Sequence, residues 1–312
     1  MNINPRPSPS RSPAEMSKAF QRLRQETLAQ IRRDDAHQKR IFALQLKERQ
    51  AQAEHARQLL AQAGLDVKHL DDLEAEEDKR LAEFLQIVRP PLISPPRNFE
   101  NHLQARTAQA TLHQHVGQAA TLLGADVCRD HRADGEPTFV WLYDDDNVKD
   151  VLDKLKGSGW GCFVKENPDY PNSTATWWYM WTPPEDGLYA FWAIVPYSGF
   201  YVIRANDSWY NCKYAKAHAF ADLDIHQYFW RESRRRSLVD KRGSNIDATS
   251  LASGSVHFNF TEPLNAGDEI TVRVTVTLDV YAQGSGSYAE LNFSEGEANF
   301  LGVPGVFISK VE

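Results

Sequence analysis

Residues 269–281 read EITVRVTVTLDVY. Ile270, Val272, Val274, Val276, Leu278 and Val280 fall on one face, and Thr271, Arg273, Thr275, Thr277 and Asp279 on the other. Only a period of two does this, so the segment predicts a long antiparallel strand with an apolar and a wet side. Such a strand needs a second apolar sheet to close against. Ser255–Phe260 repeats the rule with Val256, Phe258 and Phe260 inward. Further strands are predicted at 138–143, 160–165, 174–181, 187–196, 199–205, 209–216, 218–229, 288–293 and 305–311. Turn-forming clusters of Pro, Gly, Asp and Ser separate most of them. Leu188–Pro196 is apolar on both faces and predicts a central strand covered on both sides.

The first quarter of the chain obeys a different rule. All 8 tryptophans lie between Trp141 and Trp230, whereas residues 14–88 hold neither Trp nor Tyr. Ser12 and Pro13 suit a helix start, and no Pro or Gly follows until Gly64. Phe20, Leu23, Leu28, Ile31, Phe42, Leu46, Leu59 and Leu60 make a thin, broken stripe. Such a helix would run some 70 Å at about 1.5 Å per residue. Gly64 is the natural stop. Asp66 or Asp71 then starts a second helix to about Val88, with Leu70, Leu73, Leu81, Phe84, Leu85 and Val88 on one face.

These signals predict a segregated α+β fold. A flexible Pro/Ser tail (1–13) precedes a long helical hairpin or coiled-coil stalk (14–88). A Pro-rich linker (89–97) and a helix with connector (98–136) lead to an antiparallel β-sandwich of jelly-roll type (137–312). The stalk carries 10 Lys/Arg against 5 Asp/Glu over 11–49, then 8 Asp/Glu against 3 Lys/Arg over 66–83. Opposite charge and a narrow stripe predict a homo-oligomer assembled through helices 14–88. Gly187-Leu-Tyr-Ala-Phe and Leu264-Asn-Ala-Gly-Asp268 resemble short patterns in the jelly-roll heads of C1q/TNF-like and viral-fibre proteins. That resemblance implies a sandwich and carries no functional residue with it.

Composition excludes several classes. The net charge of -7 argues against a nucleic-acid binder, and no apolar run is long enough to span a membrane. Cys128, Cys162 and Cys212 form no Cys-x-x-Cys pair, and no cofactor motif is present. Residues 1–13 have no apolar signal region, so synthesis in the cytoplasm is expected. Nucleophile elbows, phosphate loops and zinc-protease motifs are absent from the sequence.

Several constellations remain. Asp222, Asp224 and His226 share one face of a predicted strand, as ligands of a divalent metal or as a solvated face. They are also the acids a glycan-active hydrolase would use. Trp177, Tyr179 and Trp181 share a face, as a stacking platform for a glycan or as core. Arg234, Arg235, Arg236, Lys241 and Arg242 form a basic run, expected on an exposed loop, that suits an anionic ligand or partner. Asp144-x-Asp146 begins like a calcium loop but lacks its Gly and Glu, so a cap for a short helix over 146–157 is the simpler account. The expected function is a non-enzymatic structural or adhesion-type protein, with a stalk and a head that binds a glycan or protein surface. A membrane-acting toxin using the N-terminal helices and a glycan-active hydrolase are the rival readings.

Overall fold

The computed structural model describes scattered helical residues from Lys18 to Ala51, then residues 54–93, 121–123, 140–142, 152–156, 172–206, 213–227, 234–293, 299–303 and 306–311. Most of them are in strands, which form two antiparallel sheets. The first sheet is built around β5 (Gly187–Asn206), with β8 (Asn245–Leu264) along one edge. Along the other edge lie β12 (Val306–Lys310), β11 (Phe300–Leu301) and β10 (Tyr288–Asn292) in turn. β1 (Thr121–Leu123) and β3 (Leu152–Lys156) flank β12 and β10. The second sheet runs β2 (Val140–Leu142), β4 (Asn172–Trp181), β9 (Ile270–Gln283), β6 (Tyr214–His226), β7 (Arg234–Gly243).

Parity builds the core. Ile270 to Val280 on β9 are fully buried at every second residue, as are Ala215, Ala217, Ala219 and Ala221 on β6. The opposing sheet contributes Tyr189, Phe191, Ala193 and Val195 from β5, and Phe258 from β8. Small side chains on one sheet set against larger ones on the other are how two sheets interdigitate at crystal-like density. Each fully buried Val, Leu or Phe there contributes roughly 1.5–3 kcal/mol.

The segregated α+β expectation, a long coiled-coil or hairpin stalk set apart from a sandwich, is overturned. Strands dominate, only two continuous helical segments are described, and the second is part of the β domain. We name them α1 (54–62) and α2 (Val67–Ile93). The turn between them follows the sequence: Gly64 takes φ 81°, and Leu65 N–H bonds the Leu60 carbonyl at 3.1 Å. Asp66 Oδ1 accepts from the backbone of Lys68 at 2.9 Å and caps α2. The narrow stripe of α2, however, is buried against a sheet. Leu81 packs with Phe200, Val202 and Tyr288, and Phe84, Leu85, Val88 and Leu92 extend the contact. β5 is apolar on both faces, so it supplied the second surface.

One turn earlier the stripe is acidic and grips the β9–β10 turn. Glu74 accepts from the Ser285 hydroxyl at 2.6 Å, Asp78 from Gly286 N–H at 2.8 Å, and Glu77 pairs with buried Lys213 at 2.6 Å. At the other end Arg89 holds the fully buried Glu290 at 3.1 Å, and Tyr288 and Asn292 donate to the same carboxylate. These contacts carry the helix through Pro90 and Pro91 to Ile93, past the expected linker start.

Strand boundaries differ as well, and β8 runs over Asn245–Leu264 where only Ser255–Phe260 was expected. The 187–196 and 199–205 segments are one strand, β5. Gly199 is not a turn residue: an added Cβ would run into the Asn292 carbonyl and the Phe293 ring. The two strands expected over 209–229 are likewise one, β6. Part of the short helix expected over 146–157 is strand β3. The 160–165 strand, the tail and Asp144–Asp146 lie outside the described residues, as do residues 100–120 of the helix expected within 98–136; Thr121–Leu123, expected to end that helix, are strand β1.

Candidate binding surface

The outer face of β6 carries Tyr214, Lys216, His218, Phe220, Asp222, Asp224 and His226, because the alternate residues are committed to the core. β9 sets Tyr281, Asp279, Thr277, Thr275, Arg273 and Thr271 beside them. β7 sets Arg242, Asp240, Ser237 and Arg235 on the other side.

Charges on this face are paired. Asp222, 7% exposed, accepts from Arg235 Nε at 2.9 Å and from its Nη2 at 3.0 Å. This two-pronged bond holds the Arg235 guanidinium above its ordinary pKa. Asp224 accepts both Arg273 nitrogens at 2.9 and 2.7 Å. Lys216 donates to Asp279. Thus Asp222, Asp224 and His226 do share a face, as their spacing implied, but each carboxylate is turned to an arginine. Among the described residues no group of three His, Cys, Asp or Glu side chains is arranged to hold a metal ion.

Rings lie between the charges. The Arg235 guanidinium sits 3.9 Å over the Phe220 ring, and His218 lies 4.9 Å from the same ring. Tyr214 and Tyr281 are 6.2 Å apart. Burial pushes the His218 pKa below 6.5, with Asp240 pulling the other way. Burial also lowers His226, reinforced by Arg273 and opposed by Glu26.

The basic run is not a loop. Arg234, Arg235, Arg236, Lys241 and Arg242 belong to β7, the edge strand paired with β6. A β-bulge at Leu238 shifts its register. Arg235 and Arg242 fall on the outer face; Arg242 stands 3.4 Å from Asp240. Arg234, Arg236 and Lys241 are register partners of Leu223, Ala221 and Ala217, on the side facing the other sheet. Arg234 Nη1 donates to the Asn259 carbonyl of β8 at 3.3 Å, and Lys241 Nζ lies 6.0 Å from the Tyr201 ring.

Trp177, Tyr179 and Trp181 are register partners of Val274, Val272 and Ile270, and it is the side chains of those β9 residues that lie in the inter-sheet core. Trp181 meets Tyr189 edge-on at 5.0 Å and Phe191 at 6.5 Å. The spacing that sets Asp222, Asp224 and His226 on one face of the strand sets Phe220 there too, as the structure shows; Tyr214 and Tyr281 were missed as surface rings, and their parity against the Ala215–Ala221 and Ile270–Val280 rows was the available signal. No helix among the described residues is long and apolar enough to cross a membrane.

No family model and no curated protein matches the chain. Loose overlaps with solved structures exist. A family 35 carbohydrate-binding module from Clostridium thermocellum overlaps 62% of this chain and 98% of its own, at 9% identity and TM-score 0.20. The K3 cleaved adhesin domain of Lys-gingipain from Porphyromonas gingivalis overlaps 62% and 92%, at 12% identity and TM-score 0.17. A cycloisomaltooligosaccharide glucanotransferase from Paenibacillus sp. overlaps 49% of this chain and 18% of its own, at 11% identity and TM-score 0.17.

Proposed function

We propose that the chain is a non-enzymatic binding protein of structural or adhesion type, and that its β domain takes a glycan on the outer face of β6, β7 and β9. One observation carries this reading: the carboxylates of that face are each engaged by a cation, while half-buried rings lie among them. Asp222 and Asp224 are tied to Arg235 and Arg273, and Asp279 to Lys216. A general acid or nucleophile needs a carboxylate whose pKa and position serve the reaction. Carboxylates held in arginine forks serve rigidity. A sheet bearing Tyr214 and Tyr281 offers rings for the apolar side of a pyranose, and paired charges offer hydrogen-bond donors and acceptors to its hydroxyls.

The test is a glycan array with the full chain, followed by titration of any hit against Tyr281→Ala and Tyr214→Ala variants. Retention of a glycan by the wild type and at least about tenfold weaker binding by the double variant is expected, the loss of roughly 1.4 kcal/mol of stacking. No retained glycan, or equal affinity in both proteins, removes the glycan reading.

A further inference from the structure

β8 is the longest exposed strand of the fold, 20 residues or about 65 Å. Its one edge is paired with β5 along the full length. Its other edge has no strand partner among the described residues. A bare edge is a template for another strand, and proteins normally blunt it with Lys, Pro, inward charges or bulges. Apart from Glu262 and Pro263 at its C-terminal end, β8 has none of these devices: from Asn245 to Thr261 there is no Lys, Arg or Pro and no break in register. Its solvent-side positions are Asp247, Thr249, Leu251, Ser253, Ser255, His257 and Asn259, mostly exposed, with Leu251 52% exposed. Neighbouring β7 has all of them except Pro.

The sequence of β8 also complements itself. Antiparallel pairing of two copies centred on Gly254 sets Ala252 against Val256, Ser250 against Phe258 and Ala248 against Phe260. Each small residue on the inner face meets a large one. On the outer face Ser253 meets Ser255 and Thr249 meets Asn259. Charge agrees as well. Asp247 of one copy comes opposite Thr261 of the other, beside Arg234, which already reaches the Asn259 carbonyl of β8 at 3.3 Å. The contact is repeated at the far end by symmetry, as a closed pair of identical surfaces requires.

We propose that the free edge of β8 pairs antiparallel with β8 of a second copy of this chain, centred on Gly254, joining two β5–β8 sheets into one continuous sheet. Arg234 then moves from the Asn259 carbonyl to the partner's acidic end, releasing that carbonyl to the incoming strand. The inference is independent of the glycan reading, since β8 lies in the other sheet.

The test is light-scattering mass of the full chain across a concentration series, for wild type and for Ser253→Lys with Ser255→Lys. The two lysines face each other across the pairing, and both positions are exposed, so the fold tolerates them. A wild-type dimer is expected, with its dissociation constant raised about tenfold or more in the variant, since like charges directly opposite destabilise a strand pair. Hydrogen exchange on the wild type is the second measurement: amides of 249–259 slow as concentration rises. A monomeric wild type overturns the proposal, as does an assembly larger than a dimer. So does a dimer that the lysines leave intact or whose β8 amides exchange at the same rate at every concentration; either outcome assigns the contact to another surface, the helices included.

Discussion

β7 and β8 are consecutive strands separated by Ser244 alone, and each borders its sheet. They solve the edge problem in opposite ways. β7 is armoured: five cations in ten residues, a bulge at Leu238, and a guanidinium locked onto Asp222. Only Val239 of β7 is buried in the core. β8 has no strand partner on its outer side among the described residues and is anchored on its inner side by Phe258, with Val256 and Phe260 packed against the same core. One strand is held by charge and the other by burial. The contrast teaches that an unguarded edge is not a necessity of this fold, since among the described residues the chain arms one edge strand with charge and a bulge and leaves most of its neighbour without either.

The largest test of that contrast is Phe258→Ala against Val239→Ala. Phe258 is 1% exposed, and truncating it is expected to cost roughly 3–5 kcal/mol in urea unfolding. Val239, 6% exposed on the guarded edge, should cost about 2 kcal/mol or less. Equal costs would mean that β7, too, is anchored by its core contact, and the division would fail.

Charge should show the reverse order. Asp222→Ala removes both bonds to Arg235 and leaves the cation 59% exposed in its side chain, so water compensates part of the loss. About 1–2 kcal/mol is expected, shrinking in high salt. On β8, Asp247→Ala breaks a 3.7 Å pair between Arg204 and a 45% exposed carboxylate. The cost there should be below about 0.5 kcal/mol. Thermal melts at two ionic strengths compare the two; a larger effect at Asp247 reverses the assignment.

How much of this the sequence carried depends on what each residue answers to. β9 was legible because its inward residues from Ile270 to Val280 share one environment, the core, and alternation records that directly. β7 was not, because an edge strand meets solvent on its free side and tolerates charge at any parity; Arg234–Arg236 hide the period. The stripe on α2 announced that something apolar covers it, but a stripe does not name its partner, and helix and sheet fit equally well. Turn signals misled at Tyr197–Gly199, where the glycine answers to a close backbone approach and not to a turn. On the candidate surface, the shared face of Asp222, Asp224 and His226 was legible. Their neutralising partners were not: Arg235 and Arg273 lie 13 and 49 residues away and arrive only through strand pairing.

Two glycines sharpen the comparison at a smaller scale. A Cβ on Gly254 of β8 would lie 3.2 Å from the Tyr197 hydroxyl, which donates to the bulge carbonyl of Leu238 at 3.2 Å. Gly254→Ala therefore disturbs a phenol that ties β5 to the β7 bulge, and a loss of about 1 kcal/mol is expected. On Gly243 of β7 the nearest atom to an added Cβ is Ile246 Cβ at 3.7 Å, an ordinary contact. Gly243→Ala should be neutral or stabilise by roughly 0.4–1 kcal/mol through the unfolded chain. Denaturant midpoints decide it: a harmless Gly254→Ala would show that Tyr197 has room to yield.

The smallest expected effect is a pH dependence on the guarded side. His218 stands opposite Asp240 of β7, with Lys216, Asp279 and Arg242 around it. Burial holds its pKa below 6.5, and the same cause acts first at His226, where Arg273 adds to it and Glu26 opposes. The unfolded chain therefore takes up protons at a higher pH than the folded one. Between the unfolded value near 6.5 and the lower folded values, acidification binds protons preferentially to the unfolded state, so stability falls as pH falls through that window. Above 6.5 both states are neutral at these rings and the dependence vanishes. Melting temperatures at pH 7.5 and 5.5 should differ for the wild type, and the difference should narrow in His218→Gln with His226→Gln. An unchanged difference would assign the acid sensitivity to the carboxylates paired with Arg235 and Arg273, and would place the pH response of this face in its ion pairs and not in its imidazoles.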